Sequence, residues 1–560
     1  MKQAIPESGR ILEHKQDETQ TSSATSSAPT VAGQSLASAA VLMVVATIGA
    51  RVAGLVRVMV LARFGTTGEI NAYYQAFVIP DLVYFLIAGG ALRTGFVPVF
   101  TEYMAKGKWS QAWKTFSSLF WLLLLFGGLV VSLGIAFAAP LARLIAPGWV
   151  DTQPELLDLC AHLMRIIFPA QLCFVVGGLF MGTLNAFKHF LWPAMGPIVY
   201  DLVIISAVLL ALALPHIFGL PTVAYAVVLG ALLGNVLLQV RPLAVRGMQL
   251  HWAIELHDEG VKRVIKLALP IIFGLAVAEI NYIIIRTFST IVAPDQGPAV
   301  MEFANRLWKL PAGIFGAAIA IALFPNLAEH YAIGDEQRYR RDFSFGIRNT
   351  MFLTVPAALV MGIMPAAIVR LLMQYGQFSA ESTAAVAQVM HWFAPGIVAL
   401  SGLYIVARAF YARHDTTTPL AVGVVSVGTC VGLSFSLMDS MGLAGLALAM
   451  TASNFINAGV LLIILKRRVG LLDGMAMLSS QVRCLPANLF MAAICLWGPK
   501  MIETLLGADG IMNRLIGVLG PLALGTTGFI LLSALFRVPE LGSAWRLVTK
   551  RFGKRKARAE

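Results

Sequence analysis

Apolar stretches of about 20 residues alternate with short polar segments along the whole chain, and each stretch is long enough to cross a ~30 Å hydrocarbon core as a helix. Fourteen spans are expected, near 36–64, 70–100, 115–139, 156–186, 191–214, 221–241, 265–291, 300–328, 346–373, 384–411, 418–437, 442–465, 484–502 and 514–537. Runs such as Leu122–Leu125 and Val208–Leu214 lack the period-two alternation of membrane-barrel strands. The pattern therefore predicts an all-α polytopic membrane protein, and even parity places both termini on one side. Residues 1–34 are polar and rich in Ser, Thr, Ala and Gln. They read as a disordered tail without a secretory signal, because the first long apolar run starts near Ser35.

Composition agrees: 58% of the 560 residues are hydrophobic and 13% charged, against roughly 25% charged in soluble domains. The mean hydropathy is +0.77. A net charge of +13 would suit nucleic acid in a soluble protein. Here the placement of the basic residues matters more, and no nucleic-acid partner is expected. Loops after even-numbered spans hold Lys106, Lys108, Lys114, Lys188, Arg246, Lys262, Arg263, Arg338, Arg340, Arg341, Arg413, Lys466, Arg467 and Arg468. The end of the chain adds Lys550, Arg551, Lys554, Arg555, Lys556 and Arg558. Near loops after odd spans lie only Arg143, Arg370, Lys500 and Arg514. The positive-inside rule then makes both termini cytoplasmic, with the basic tail able to touch anionic lipid.

An internal repeat is visible. Pro80-Asp81-Leu82 and Pro98-Val-Phe-Thr-Glu102-Tyr103 are similar to Pro311-Ala-Gly and Pro325-Asn-Leu-Ala-Glu329-His-Tyr331. Ala142-Arg143-Leu144-Ile145 matches Val369-Arg370-Leu371-Leu372, and Gly178-Leu179 with Ala186-Phe187 matches Gly402-Leu403 with Ala409-Phe410. The offset stays near 223–231 residues, which scattered chance matches would not do. Six spans per unit keep both halves in one orientation and imply a pseudo-two-fold axis along the membrane normal, with a site between the halves. The expected division is a cytoplasmic tail (1–34), an N-lobe (35–245), a C-lobe (262–468), an added pair of spans (480–540) and a basic cytoplasmic tail (541–560).

The polar residues inside the spans carry the chemistry. Arginine at membrane depth costs roughly 2.5–3.5 kcal/mol on insertion scales. Arg51 and Arg57 share the first span, six residues apart and about 240° around an ideal helix. They predict a wide polar cavity, or a bend near Gly54, that receives an anionic head group. In span eight Arg306 has Lys309 one turn on, and Glu302 four residues earlier is able to neutralise it. In span seven Glu279 and Arg286 lie roughly on one face, as a structural ion pair or as part of the pathway. Asp81 either pairs with Arg51 or Arg57, the favoured reading, or binds a coupling cation. Arg93, after Gly89-Gly90, reaches either the cavity or the cytoplasmic end of span two. Asp201 in span five is a structural acceptor or a cation ligand. The candidate binding set is Arg51, Arg57, Arg306, Asp81, Arg93, Arg286 and Lys309.

Catalytic signatures are missing: there is no HExxH, GxSxG or Walker A pattern and no His/Asp cluster at metal spacing. This points away from an enzyme or an ATP-driven pump and implies no cofactor or metal. The five cysteines (Cys160, Cys173, Cys430, Cys484, Cys495) have no CxxC spacing and read as small core residues. His391, in an apolar span, reads as a hydrogen-bonded core residue.

Gly49-Ala-Arg51-Val-Ala-Gly54-Leu-Val-Arg57 resembles the first-span signature of the MurJ (MviN) lipid II flippases, a branch of the multidrug/oligosaccharidyl-lipid/polysaccharide exporter superfamily. The resemblance extends through Asn71-Ala-Tyr-Tyr-Gln-Ala-Phe-Val-Ile-Pro80-Asp81-Leu, Gly90-Ala, Phe96-Val-Pro98 and Ala304-Asn305-Arg306-Leu-Trp-Lys-Leu-Pro311-Ala-Gly313-Ile-Phe-Gly316. Tyr375-Gly376-Gln-Phe378 and Phe410-Tyr-Ala-Arg413-His-Asp415-Thr-Thr-Thr-Pro419 match two further family segments. Roughly residues 35–540 are covered. The resemblance implies fourteen transmembrane helices in two six-helix lobes plus two extra helices that form a groove for a polyprenyl tail. It implies a bacterial inner-membrane flippase that moves the undecaprenyl-pyrophosphate-linked peptidoglycan precursor by alternating access, driven by a Na⁺ or H⁺ gradient or by membrane potential. The family's essential arginines carry over to Arg51, Arg57 and Arg306. Tyr84 stands where many members have a third cavity arginine, Asn71 replaces a usual aspartate, and Gly89 a frequent glutamate. Arg93, Arg286 or Lys309 are the candidates to supply that missing charge.

The physics agrees with this resemblance. A pyrophosphate needs fixed cationic donors, and arginine offers forked hydrogen bonds to phosphate oxygens. A lipid-linked sugar cannot cross the core unaided, because its polar groups lose water without replacement. The alternatives are a flippase for another polyprenyl-linked oligosaccharide, a cation-coupled drug antiporter of the same superfamily, whose cavity should be acidic, and a membrane scaffold acting through its tails.

Overall fold

The computed structural model describes residues 36–542 apart from 67, 88–90, 253, 256–257, 471–472 and 508–509; the side chains of 36–45, 47–48, 87, 91–94 and 269–278 are not described. The tail at 1–34, residues 543–560 of the basic tail, Gly89, Gly90 and the Arg93 side chain therefore lie outside the described residues.

Every element among the described residues is helical. The first span is α1 (Leu36–Leu61). The stretch expected as one span at 70–100 is three segments, α2 (Glu69–Ala76), α3 (Val78–Ile87) and α4 (Ala91–Ala105). Then come α5 (Trp109–Ala136), the short α6 (Ala138–Ile145), α7 (Pro154–Ala186), α8 (Leu191–Ala213) and α9 (Leu220–Ala244). The second half begins with α10 (Glu259–Val292) and α11 (Gly297–Ala332), followed by α12 (Glu336–Ile363), the short α13 (Pro365–Met373), α14 (Ala380–Phe393), α15 (Gly396–Ala412), α16 (Thr417–Met441) and α17 (Leu443–Val469). A hairpin of α18 (Gly474–Leu506) and α19 (Ile511–Leu535) completes the order.

The boundaries follow local chemistry. Asp258, Asp335 and Ser379 cap α10, α12 and α14, their side chains accepting from the backbone N–H of Val261, Arg338 and Ser382. Pro365 ends α12, because a residue preceding proline is driven out of the helical region; Met364 sits at φ −117°, ψ 40°. The expected span 346–373 is thus a membrane helix plus a separate short one, and 115–139 divides in the same way at Phe137. The expected span 384–411 bends by 44° between α14 and α15, where Pro395 lacks a backbone donor. Several helices outrun the apolar stretches that predicted them, α18 by about ten residues at its start, because helical hydrogen bonding continues past the hydrocarbon boundary.

Among the described residues ten helices are individually long and apolar enough to cross a membrane, and the bent α14–α15 pair, taken as one span, makes eleven. Helix also covers the three remaining expected stretches, in α1, α2–α4 and α10. The protein is an integral membrane protein of helical class. The repeat has a backbone signature. Left-handed residues that end helices recur in pairs, Gly107 with Gly334, Lys188 with His414 and Gly247 with Gly470, at offsets of 227, 226 and 223 residues.

The largest buried cluster joins both halves and includes Trp149, Phe168, Phe303, Trp308 and Phe393. In α7, 67% of the apolar window is buried, against 11% in α18, so α7 is central and the α18–α19 hairpin peripheral. Outward-facing Leu125, Trp497 and Leu535 supply the apolar surface that lipid requires.

Candidate functional site: arginines between the two halves

Arg51 and Arg57 leave α1 in different directions, as their spacing requires. Arg57 turns to α8: its Nη1 lies 3.1 Å from Asp201 Oδ1, and its guanidinium sits 5.4 Å from the centre of the Tyr200 ring. Arg51 crosses to the second half. Pro311 cannot continue the α-helical ladder, and the chain widens into a π-helical turn over Ala312–Gly316. There the Gly313 carbonyl accepts from Arg51 Nη2 at 3.1 Å. A Cβ at position 313 would lie 2.9 Å from Arg51 Nη1, so the glycine makes room for the guanidinium.

The second half builds its part around Glu302, which is 3% exposed. Its Oε1 accepts from Arg306 Nε at 2.6 Å, its Oε2 accepts from the Tyr282 hydroxyl at 2.6 Å, and Arg286 Nη1 lies 3.8 Å away. Arg286 also donates to the Tyr74 carbonyl in the first half. Lys309 Nζ sits 4.6 Å from the Tyr282 ring centre. The Arg306 side chain remains 48% exposed although its carboxylate partner is 4% exposed. One edge of the guanidinium is held and the other is open. Arg57 and Arg306 lie within electrostatic range of each other, as do Asp81 and Arg306.

The structure corrects several expectations. Asp81 pairs with neither Arg51 nor Arg57; the carboxylate on Arg57 is Asp201, which settles Asp201 as an ion-pair partner. Arg286 does not pair with Glu279. Seven residues put both on one side of α10, but Glu302 and the Tyr74 carbonyl reach Arg286 from neighbouring helices and hold it. Arg286 is 5% exposed, so it braces the site rather than lining it. Lys309 remains the described candidate for the missing third charge. Tyr84 packs edge-on against Phe85 and Phe174 at 5.4 and 5.3 Å and belongs to an aromatic wall.

Asn71 also takes a definite role, away from the arginines. It is fully buried; its Nδ2 donates to the Thr66 and Asp295 carbonyls at 2.7 and 2.6 Å, and its Oδ1 accepts from Ala299 N at 2.9 Å. An ionised aspartate cannot donate, so the amide is what lets this side chain tie the start of α2 to the start of α11. Nearby, Thr66 and Ser382 hydroxyls meet at 2.7 Å and Gln377 N donates to the Arg63 carbonyl at 3.0 Å. Gly376 makes that approach possible: it has φ 65°, and a Cβ would lie 2.9 Å from Arg63 O. These bonds join the two halves near the start of α2. Elsewhere Arg263 reaches Glu102 at 2.8 Å and Thr115 donates to Asp258 at 2.6 Å, both at the start of α10. Two residues escaped the sequence reading, Tyr200 and Tyr282. Their signal was position: Tyr200 precedes Asp201, and Tyr282 lies one turn before Arg286.

A family model described as lipid II flippase MurJ matches residues 60–554. The chain belongs to the MurJ family. A probable lipid II flippase MurJ of Rhizobium tropici is 30% identical over 491 residues, spanning 86% of this chain and 90% of that protein. The lipid II flippase MurJ of Burkholderia cenocepacia is 30% identical over 434 residues, 75% of this chain and 82% of that protein. Among solved structures, a lipid II flippase MurJ in an inward closed conformation superposes with TM-score 0.71 at 19% identity, covering 89% of this chain and 98% of that one. An inward-facing multidrug resistance MATE transporter gives 0.64 at 15% identity, over 76% and 96% of the two chains. The MurJ fold is therefore shared with the wider exporter superfamily.

Proposed function

We propose that this chain is a lipid II flippase that carries the undecaprenyl-pyrophosphate-linked precursor from the cytoplasmic to the outer leaflet by alternating access. Membership of the MurJ family supports the substrate. What supports the mechanism is Arg306, whose guanidinium is held by Glu302 on one edge and stays 48% exposed, together with Arg51 on α1, which reaches the Gly313 carbonyl of the second half. Cations from opposite lobes hold a diphosphate between them, and guanidinium forks match its oxygens. The lobes are 35–245 and 262–468, with fourteen spans in all, the 480–540 hairpin beside them as the tail groove, and both termini cytoplasmic in a bacterial inner membrane. The junction that Asn71, Thr66 and Gln377 make between the halves faces outward and must part to release the product. A coupling cation, Na⁺ or H⁺, acts at Asp81 or Glu279, which have no ion pair within 4.0 Å among the described residues.

Arg306→Gln tests this. Purified protein should stay folded but bind lipid II about 10–100-fold more weakly, the worth of a charge-assisted hydrogen bond of roughly 1.5–3 kcal/mol. Full rescue of a flippase-depleted bacterium by Arg306→Gln or Arg51→Ala would overturn the proposal. Preference for an undecaprenyl-linked O-antigen precursor over lipid II in the same assay would reassign the glycolipid. A cationic-drug antiporter of this fold needs an acidic chamber, which these arginines oppose.

A further inference from the structure

Of the four basic residues that the positive-inside reading places near outward loops, Arg143, Arg370, Lys500 and Arg514, two meet in one cleft. Arg370, on α13, and Arg514, in the first turn of α19, line one open cleft between α13 and the α18–α19 hairpin. Its floor is apolar, formed by Ala367, Pro499, Ile502 and Val518. Arg370 Nη1 lies 3.1 Å from Glu503 and is neutralised by it. Arg514 has no carboxylate within ion-pair distance among the described residues. Its Nη1 donates to the Gln374 carbonyl at 3.1 Å, and its guanidinium stands 5.5 Å from the Tyr375 ring centre. Its Nε is buried and unpartnered.

The rim of the cleft thus carries two guanidinium groups and one carboxylate, a net positive charge above an apolar floor. That is the arrangement a membrane lipid presents in reverse, a phosphate over hydrocarbon. A guanidinium with one carbonyl partner and no carboxylate keeps its charge unmatched, and a phosphate oxygen is a strong acceptor for it. We propose that this cleft binds the phosphate of an outer-leaflet lipid, with Arg514 as the principal donor and Arg370 as the second. The bound lipid fills the gap between α13 and the hairpin, whose own packing is on α12 through Phe352, Cys484 and Phe529. The site is separate from the arginines between the halves and does not depend on what they carry.

The test is native mass spectrometry of the full chain released from nanodiscs containing phosphatidylglycerol, with lipid occupancy as the readout. Arg514→Gln should lower occupancy at least fivefold and Arg370→Gln by less, while Arg514→Lys keeps most of it. Gly517→Leu gives a second route without touching charge. A Cβ at Gly517 meets only Ile502 Cγ2 at 4.0 Å, so the new side chain enters the cleft without a clash at its base and should expel the lipid. Undecaprenyl diphosphate added as competitor distinguishes the source: displacement makes a polyprenyl diphosphate an occupant, and persistence leaves the phosphoglyceride. Wild-type occupancy in both Arg514→Gln and Gly517→Leu overturns the proposal. Arg306→Gln should leave this occupancy unchanged, so failure of the flippase reading would not be mistaken for failure of this one.

Discussion

Arg57 on α1 and Arg306 on α11 each sit beside one carboxylate, yet they are used differently. Arg57 is closed in: its side chain is 16% exposed, its partner Asp201 9%, and Tyr200 covers it. Arg306 is propped: Glu302 is buried and also bonded to Tyr282, while the guanidinium stays half exposed. A charge at membrane depth is stable in either way, but the second leaves more of the guanidinium open to a ligand. The difference comes from where the carboxylate lies. Asp201 meets Arg57 from another helix, so the pair is a clasp between α1 and α8. Glu302 sits one turn below Arg306 on the same helix, so the pair orients a side chain without tying two helices together.

The largest effect expected from disturbing this contrast is on the propped side. Glu302→Gln leaves Arg286 buried without its counter-charge and should cost about 3–5 kcal/mol of stability. Thermal unfolding in detergent would report it, and a wild-type midpoint would mean Glu302 is not the hub. Next comes the clasp. Arg57→Gln should destabilise by roughly 1.5–3 kcal/mol, with most of the loss recovered in Arg57→Gln/Asp201→Asn, because the double variant leaves no unpaired charge. Lipid II transport by that double variant sharpens the comparison. Normal transport would make Arg57 purely a clasp, whereas loss of transport with restored stability would give it a share of the diphosphate.

The smallest effect lies outside the membrane. Hydrogen bonds from Arg263 and Lys106, at 2.8 and 2.6 Å, hold the Glu102 carboxyl down at about 2. A depressed folded-state pKa gives stability that is full above the usual carboxylate value and is lost as pH falls toward the folded one. Wild type and Glu102→Gln should therefore differ slightly in unfolding temperature at neutral pH and converge as pH falls below about 4. A gap that persists in acid would remove this latch from the account.

Much of this was legible in the chain. The apolar stretches located nearly every helix, and the repeat offset reappears in the paired left-handed helix ends. Arg51, Arg57, Arg306 and Glu302 stood out because charge at membrane depth is rare and costly. Partners on other helices were not legible. Asp201 was read as a structural acceptor or a cation ligand, and Arg286 was matched with Glu279 as one of two alternatives while its acid is Glu302, since periodicity relates residues along one helix and says nothing about the helix opposite. The role of Asn71 was hidden for the same reason, as all its partners lie on loops or on the far half.

The sequence by itself determined that this is a helical membrane protein with arginines set inside its apolar stretches, because hydrophobic length and the cost of charge in hydrocarbon act locally along the chain. Tertiary structure alone decided which arginine is clasped, which is propped open, and which two meet in the cleft beside the hairpin. Those outcomes depend on distances of about 3 Å between helices far apart in sequence, and no one-dimensional pattern encodes such distances.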